Sequence, residues 1–242
     1  MSATYVIGDI HGALRALQQL IMRIAPAKDD QFIFLGDYVD GWSESAQLLN
    51  YLMELEKKYS CIFIKGNHDA WCELWLSGGQ PVESWLLHGG RATIASYEKL
   101  SEVEKMIHLA FFNRMLNYYE DEQDRLFVHA GFASFHGPSH ERFPAMCYWD
   151  RTLWELALAL NPNLSRSSLR YPKRLQLYEE IFIGHTPTIN YGEPMPMHAA
   201  NVYNVDTGAA FTGRLSAMNI DTKEVWQSDP VHLLYPHERG RN

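Results

Sequence analysis

The chain has 242 residues, 46% of them hydrophobic and 21% charged, with 21 basic against 29 acidic side chains and a formal charge of −8. That usage is globular and excludes a disordered tail protein or a collagen-like repeat. An acidic balance with no Lys/Arg block also argues against binding duplex nucleic acid, which needs a basic face.

Thr4–Gly8 is a short β-rich run ending on Gly-Asp. Ala13–Ile24 has helical spacing, with Leu14, Leu17, Leu20, Ile21 and Ile24 on one side. Phe32–Leu35 is a second apolar run ending on Gly-Asp, and Ser45–Tyr59 reads as a helix with Leu48, Leu49, Leu52 and Leu55 inward. Cys61–Ile64 is a third strand, followed by Gly-Asn-His-Asp. The rhythm is β-α-β-α-β and predicts a mixed or parallel sheet covered by helices. Glu102–Leu116 is expected to be an amphipathic helix with Val103, Met106, Ile107, Ala110 and Leu116 as its apolar side. Tyr118–Glu120 and Leu126–His129 flank a polar turn and predict a hairpin; Arg151–Leu160 predicts another helix. Pro162–Pro172 is polar and predicts a surface excursion. Ile181–Gly184, Ala200–Val205, Arg214–Ile220 and Glu224–Gln227 are β-like, with Asp221-Thr222-Lys223 as a hairpin turn. No repeat or linker divides the chain. One domain over residues 1–242 is expected, α/β in class, with two packed sheets and flanking helices.

Three cysteines, Cys61, Cys72 and Cys147, are far apart and odd in number, which fits a reducing compartment better than a disulfide framework. MSATYVIGDIHG has no basic segment leading into an apolar core, so no signal peptide is expected. The apolar stretches are too short to span a bilayer. These features predict a cytoplasmic protein without a membrane partner.

The strands stop repeatedly at metal-binding residue types. Gly8-Asp9-Ile10-His11-Gly12, Gly36-Asp37-Tyr38-Val39-Asp40-Gly41, Gly66-Asn67-His68-Asp69, His129-Ala130-Gly131 and Gly184-His185-Thr186 each follow an apolar β run. In an α/β sheet such strand ends converge on one crevice. Aspartate, imidazole and amide oxygen suit Mn²⁺, Fe²⁺ or Zn²⁺ better than Ca²⁺ or a thiolate site. Two divalent ions about 3.5–4 Å apart can share a water, lower its pKa and clamp a phosphate during in-line displacement.

The ordered series GDxHG, GDxxD, GNH[DE], H[AG]G and GHT resembles the signature of the calcineurin-like metallophosphoesterases, closest to the phosphoprotein phosphatase branch and its small bacterial and phage members. The resemblance runs from about Tyr5 to Gly208. It implies a four-layer αββα sandwich with two central mixed sheets and two divalent metal ions, Mn²⁺ first, with Fe or Zn²⁺ as alternatives. It implies Asp9 and His11 on the first metal, Asp37 as the bridge, and Asn67, His129 and His185 on the second. It further implies a metal-bridging hydroxide as nucleophile, with His68 as general acid and Asp40 as the carboxylate that orients it. Protonating a basic leaving alkoxide is worth about 10²–10⁴-fold. The implied substrate is a phosphomonoester, phosphoserine or phosphothreonine in a protein. The alternatives are a dinucleoside tetraphosphate, cut as by the symmetrical tetraphosphatases, and a non-catalytic relative that only binds metal or phosphate.

Two positions depart from that pattern. Gly41-Trp42 stands where Arg-Gly is expected, and the missing arginine contacts phosphate in the family. Arg151, in Tyr148-Trp149-Asp150-Arg151, resembles a second phosphate-binding arginine of bacterial relatives, and Arg91 beside Gly89-Gly90 is another candidate; Asn67 also faces substrate in the family. Asp69 gives GNHD, the tetraphosphatase form, whereas Asp40 is often Asn in those enzymes. His108 is expected to be structural or on the surface, His88 to line the cleft or brace a loop, and Asp206 to brace a loop.

Overall fold

The computed structural model describes residues 2–241. The short apolar runs become β1 (Thr4–Ile7), β2 (Gln31–Phe34) and β3 (Ser60–Phe63), separated by α1 (Leu14–Ile24) and α2 (Ser45–Leu55). α3 (Asn67–Leu76) follows, and α4 (Glu83–Trp85) leads through a π-type turn, Leu86–Gly90, into α5 (Arg91–Ser96) and then α6 (Glu102–Asn113). β4 (Tyr118–Glu120) and β5 (Arg125–Val128) form the expected hairpin; α7 (Met146–Trp149), α8 (Thr152–Ala159) and α9 (Lys173–Gln176) precede β6 (Glu180–Ile183). β7 (Met197–Ala199), β8 (Val202–Asn204), β9 (Ser216–Asn219), β10 (Val225–Gln227) and α10 (Val231–Leu234) complete the order.

Two mixed five-stranded sheets result, ordered β10-β9-β1-β2-β3 and β4-β5-β6-β8-β7. β1, β2 and β3 run parallel, as do β5, β6 and β8. Side chains alternate across each strand. Val6, Ile33, Phe127 and Phe182 therefore pack between the sheets. Ile7, Phe32 and Phe34 face Leu17, Leu20, Leu48 and Leu52 on the helices of one outer layer. Leu126, Val128, Ile181 and Ile183 meet Leu153 and Trp154 in the other. Each such side chain contributes about 1.5–3 kcal/mol when fully buried, so the layer order αββα follows from period-two patterning on central strands. Phe127 and Phe182 stack across β5 and β6 with centroids 5.0 Å apart.

α6 turns a different face inward from the one its aliphatic spacing predicts. Val103, Met106 and Ile107 are 67%, 69% and 50% exposed, while His108, Phe111 and Phe112 are buried. Phe111 packs edge-on against Phe63 at 4.8 Å, and His108 is held between the Tyr97 hydroxyl at 2.8 Å and Asn50 Oδ1 at 3.0 Å. Aromatic packing and a satisfied imidazole outweigh three aliphatic side chains. The run Ala200–Val205 is likewise shorter than expected. Ala200, at φ 53°, turns the chain between β7 and β8, and Met197 starts β7. The 162–172 excursion carries no helix or strand.

Candidate metal centre and cleft

All five motifs lie just beyond the C-terminal ends of parallel strands: Asp9 and His11 after β1, Asp37 and Asp40 after β2, Asn67 and His68 after β3, His129 after β5, His185 after β6. Four of them, His11, Asp37, Asp40 and His185, have φ of 54°, 53°, 74° and 66°. Left-handed backbone at non-glycine residues costs on the order of 1–3 kcal/mol each and persists only where neighbours enforce it. Here the Ile10 and His11 N–H groups both donate to Asp37 O at 3.0 and 2.8 Å, and Trp42 N–H donates to His11 O at 3.0 Å. Backbones also approach closely. A Cβ on Gly66 would lie 2.1 Å from Asp37 Oδ1, and one on Gly184 2.1 Å from Asp9 Oδ1.

The six candidate ligands form one buried cluster. Asp37 Oδ2 is 3.5 Å from His11 Nε2 and 3.4 Å from His129 Nε2, so it stands between two imidazoles. Asp9 Oδ2 is 3.9 Å from His11 Nε2. His129 Nε2 is 3.2 Å from both Asn67 Oδ1 and His185 Nδ1. The Nδ1–H groups of His11 and His129 donate to Val39 O at 3.1 Å and Leu35 O at 2.8 Å. That fixes the tautomer and turns both Nε2 lone pairs into the cluster, the usual preparation of a metal-binding imidazole. The ring nitrogens, carboxylates and amide oxygen that converge there are all donor types that a divalent cation accepts. Two groups, His11 with Asp37 and His68, and Asp37 with His129 and His185, have ligand atoms within 4.8 Å of one another.

The electrostatics agree. Burial, together with Asp206 and Asp37, pushes the Asp9 carboxyl well up. Burial also works against charge on Asp37, but His129 and His68 beside it hold its carboxyl well below the usual range. His129 is likewise desolvated, yet Asp37 and Asp9 push it up to about 10. The pocket draws positive charge to the point where Asp37, His129 and Asp9 meet.

Asp69 is wholly buried, and its place answers the GNHD question. Its Oδ2 accepts the N–H groups of Asp37 and Gly66 at 2.7 and 2.8 Å, and Oδ1 accepts Tyr38 N–H at 2.8 Å. It braces two ligand turns and does not line the cleft. Asp206 also braces a loop, accepting Gly208 N–H at 2.9 Å.

His68 Nδ1 lies 2.5 Å from Asp40 Oδ2. Asp40 is held in turn by Trp85 Nε1–H at 2.7 Å on Oδ2 and by the Thr93 hydroxyl at 2.6 Å on Oδ1. Burial opposes charge on both partners, pushing Asp40 up to about 8 and His68 down to about 3. Burial thus disfavours separated charges on the pair, and the short contact joins Oδ2 to Nδ1. Nε2 is left for the cavity that His68 lines.

That cavity holds about 460 Å³, with Asp37, Asn67, His68 and His185 at its floor. Trp71 and Trp149 meet edge-on at 5.0 Å along its wall, and His88 stacks toward Trp71 at 6.4 Å. Arg151 lines it, its position set by Asp150, whose carboxylate accepts Thr152 N–H at 3.1 Å and Leu153 N–H at 2.9 Å in the first turn of α8. Arg91 is exposed at the start of α5 and is not among the lining residues, so the structure does not bring it to the site. Trp149, from the segment that also carries Arg151, lines it too, and so do Trp71, Phe211 and Arg241, for which the local sequence carries no signal. These last three come from α3 and two late loops, and only the fold joins them.

Among the described residues, no helix is long and apolar enough to cross a membrane. The calcineurin-like phosphoesterase family profile matches residues 3–207. A Bacillus thuringiensis protein named bis(5'-nucleosyl)-tetraphosphatase PrpE [asymmetrical] is 27% identical over 254 residues, covering 98% of this chain and 97% of its own. A crystal structure given the provisional name of a diadenosine tetraphosphatase superposes with a TM-score of 0.60 at 16% identity, covering 93% of this chain and 92% of that one. A Saccharomyces cerevisiae protein serine/threonine phosphatase does so with 0.58 at 15% identity, over 94% and 80%. The last two likenesses speak to the fold, which is the mixed two-sheet sandwich expected.

Proposed function

The chain belongs to the calcineurin-like phosphoesterase family, and on that footing we propose that it hydrolyses dinucleoside polyphosphates with two divalent metal ions. The observation that carries this reading is the cavity: it is lined together by Asp37, His68 and His185, the guanidinium groups of Arg151 and Arg241, and the indoles of Trp71 and Trp149. The name of the PrpE-type relative supports it. Asp9 and His11 would hold one ion, Asn67, His129 and His185 the other, and Asp37 both; Mn²⁺, Fe and Zn²⁺ all accept these donors. Bound there, the ions would supply Lewis-acid chemistry: positive charge for the phosphoryl oxygens and a lowered pKa for water.

The chain's own residues do the rest. Asn67 and Arg151 would orient the phosphate, a guanidinium presenting donors in a fixed fork that matches its oxygens. His68 would protonate the leaving oxygen from Nε2, with Asp40, locked by Trp85 and Thr93, holding the ring. Trp71 and Trp149 would stack on a base.

One observation favours a second reading, a phosphoserine or phosphothreonine substrate. A phosphate leaving group needs little protonation, whereas an alkoxide needs it acutely, and the His68–Asp40 pair is fully built. The Mn²⁺-loaded protein should be assayed in parallel on diadenosine tetraphosphate and on phosphoserine and phosphothreonine peptides. The first reading expects turnover of the dinucleotide to unequal products, ATP and AMP. Preference for the peptides would replace it with the second, and two molecules of ADP would restore the symmetrical cut.

A further inference from the structure

The turn after β2 leaves a gap beside the candidate metal centre. Gly41 has φ +102° and no side chain to offer, and a Cβ built on it would lie 3.2 Å from Arg241 Cγ. A Cβ on Gly89 would meet the same atom at 3.2 Å. The Arg241 stem thus lies in the groove between these two glycines, 200 residues later in the sequence than the turn it covers. Its backbone is fixed by its N–H donating to Ala210 O at 2.9 Å, and its guanidinium carbon sits 5.4 Å from the Phe211 ring centroid.

What the guanidinium faces is informative. It lines the same cavity as Asp37, Asn67, His68, His185 and Arg151. Nη1 lies 3.4 Å from His11 Nε2, a nitrogen whose lone pair is turned into the cage. Nε is buried with no hydrogen-bond partner. Among the described residues no carboxylate lies within ion-pair distance of it. Asp40 and Asp206 feel its positive charge, but Nε remains a buried, unspent donor at the edge of the cleft, which an anion's oxygen would satisfy.

We propose that Arg241 is a phosphate-binding residue of this cleft, taking a non-bridging phosphate oxygen together with Arg151. The inference rests on the phosphoesterase reading but not on which phosphoester is cut. The two glycines suit this placement, because a Cβ at either would crowd the arginine stem at 3.2 Å.

The test is calorimetric titration of inorganic phosphate into Mn²⁺-loaded protein, with bound metal counted by mass spectrometry. Arg241→Met keeps much of the stem and removes the donors. It should weaken phosphate binding about 10- to 100-fold, the range for a lost charge-assisted hydrogen bond, with metal content unchanged. Arg241→Lys, a point charge without the fork, should fall between. Phosphate binding by Arg241→Met equal to wild type, or a loss that tracks loss of metal, overturns the proposal and leaves the phosphoesterase reading standing. No phosphate binding by the wild type overturns both.

Discussion

The carboxylate of Asp69 holds the Asp37 turn from below, Oδ2 accepting the Asp37 N–H at 2.7 Å while the same oxygen takes Gly66 N–H at 2.8 Å. One buried acid thus sets the spacing between a bridging candidate and the loop that carries Asn67. Asp69→Ala would leave backbone donors unpaired, each worth about 1–3 kcal/mol when buried. Mn²⁺ affinity is expected to drop about 10–100-fold, the effect typical of a lost ligand-supporting group. Titration of Mn²⁺ into the metal-free variant checks this. Wild-type affinity would deny Asp69 its bracing role.

His68→Asn removes the candidate acid without removing a ligand of the expected cage. Hydrolysis of alkyl phosphates should fall about 10²–10⁴-fold, that of aryl phosphates much less, and bound metal should stay constant. Asp40→Asn should follow the same leaving-group pattern more weakly. Equal losses on both substrate types would take His68 out of the acid role.

The indole wall makes substrate size testable. Trp149 is 42% exposed at the cavity rim, and aromatic–base stacking is worth about 1–3 kcal/mol. Trp149→Ala is expected to raise KM for diadenosine tetraphosphate about tenfold while leaving KM for a small alkyl phosphate within about twofold. Parallel steady-state kinetics separate the two, and unchanged KM for the dinucleotide would remove the base from this wall.

Much of this centre is legible in the sequence because it is local. An apolar run that breaks into polar residues tells where a strand ends and what sits on its end, and Asp9, His11, Asp37, Asn67, His129 and His185 all lie within four residues of such a strand end. The α1 and α2 faces follow from aliphatic spacing for the same reason. Spacing fails on α6, where His108 and two phenylalanines occupy the inward stripe and hydrophobicity alone ranks the wrong side. It also fails for Asp69, whose Asp37 and Tyr38 backbone partners belong to another segment, and for Arg241, which reaches the Asp40–Gly41 turn only through the fold.

His108 supplies a pH test of stability away from the cleft. Its Nε2–H donates to Asn50 Oδ1 and Nδ1 accepts from the Tyr97 hydroxyl, and burial pushes the imidazole from 6.5 down to about 4. The unfolded chain therefore takes a proton that the folded chain refuses between those values. The contribution is complete above pH 6.5 and is lost as pH falls to about 4, on the order of 2–3 kcal/mol in all. Urea denaturation of wild type and His108→Gln across that range should show a shallower acid slope in the variant; parallel slopes would show that His108 titrates normally.

The account depends most on a pair of cations sharing Asp37. Anomalous diffraction from Mn²⁺-soaked crystals reads this directly. Two peaks on either side of Asp37 are expected, one beside Asp9 and His11 and one beside Asn67, His129 and His185. A cleft with no peak, or with a single ion that Asp37 does not touch, would contradict it.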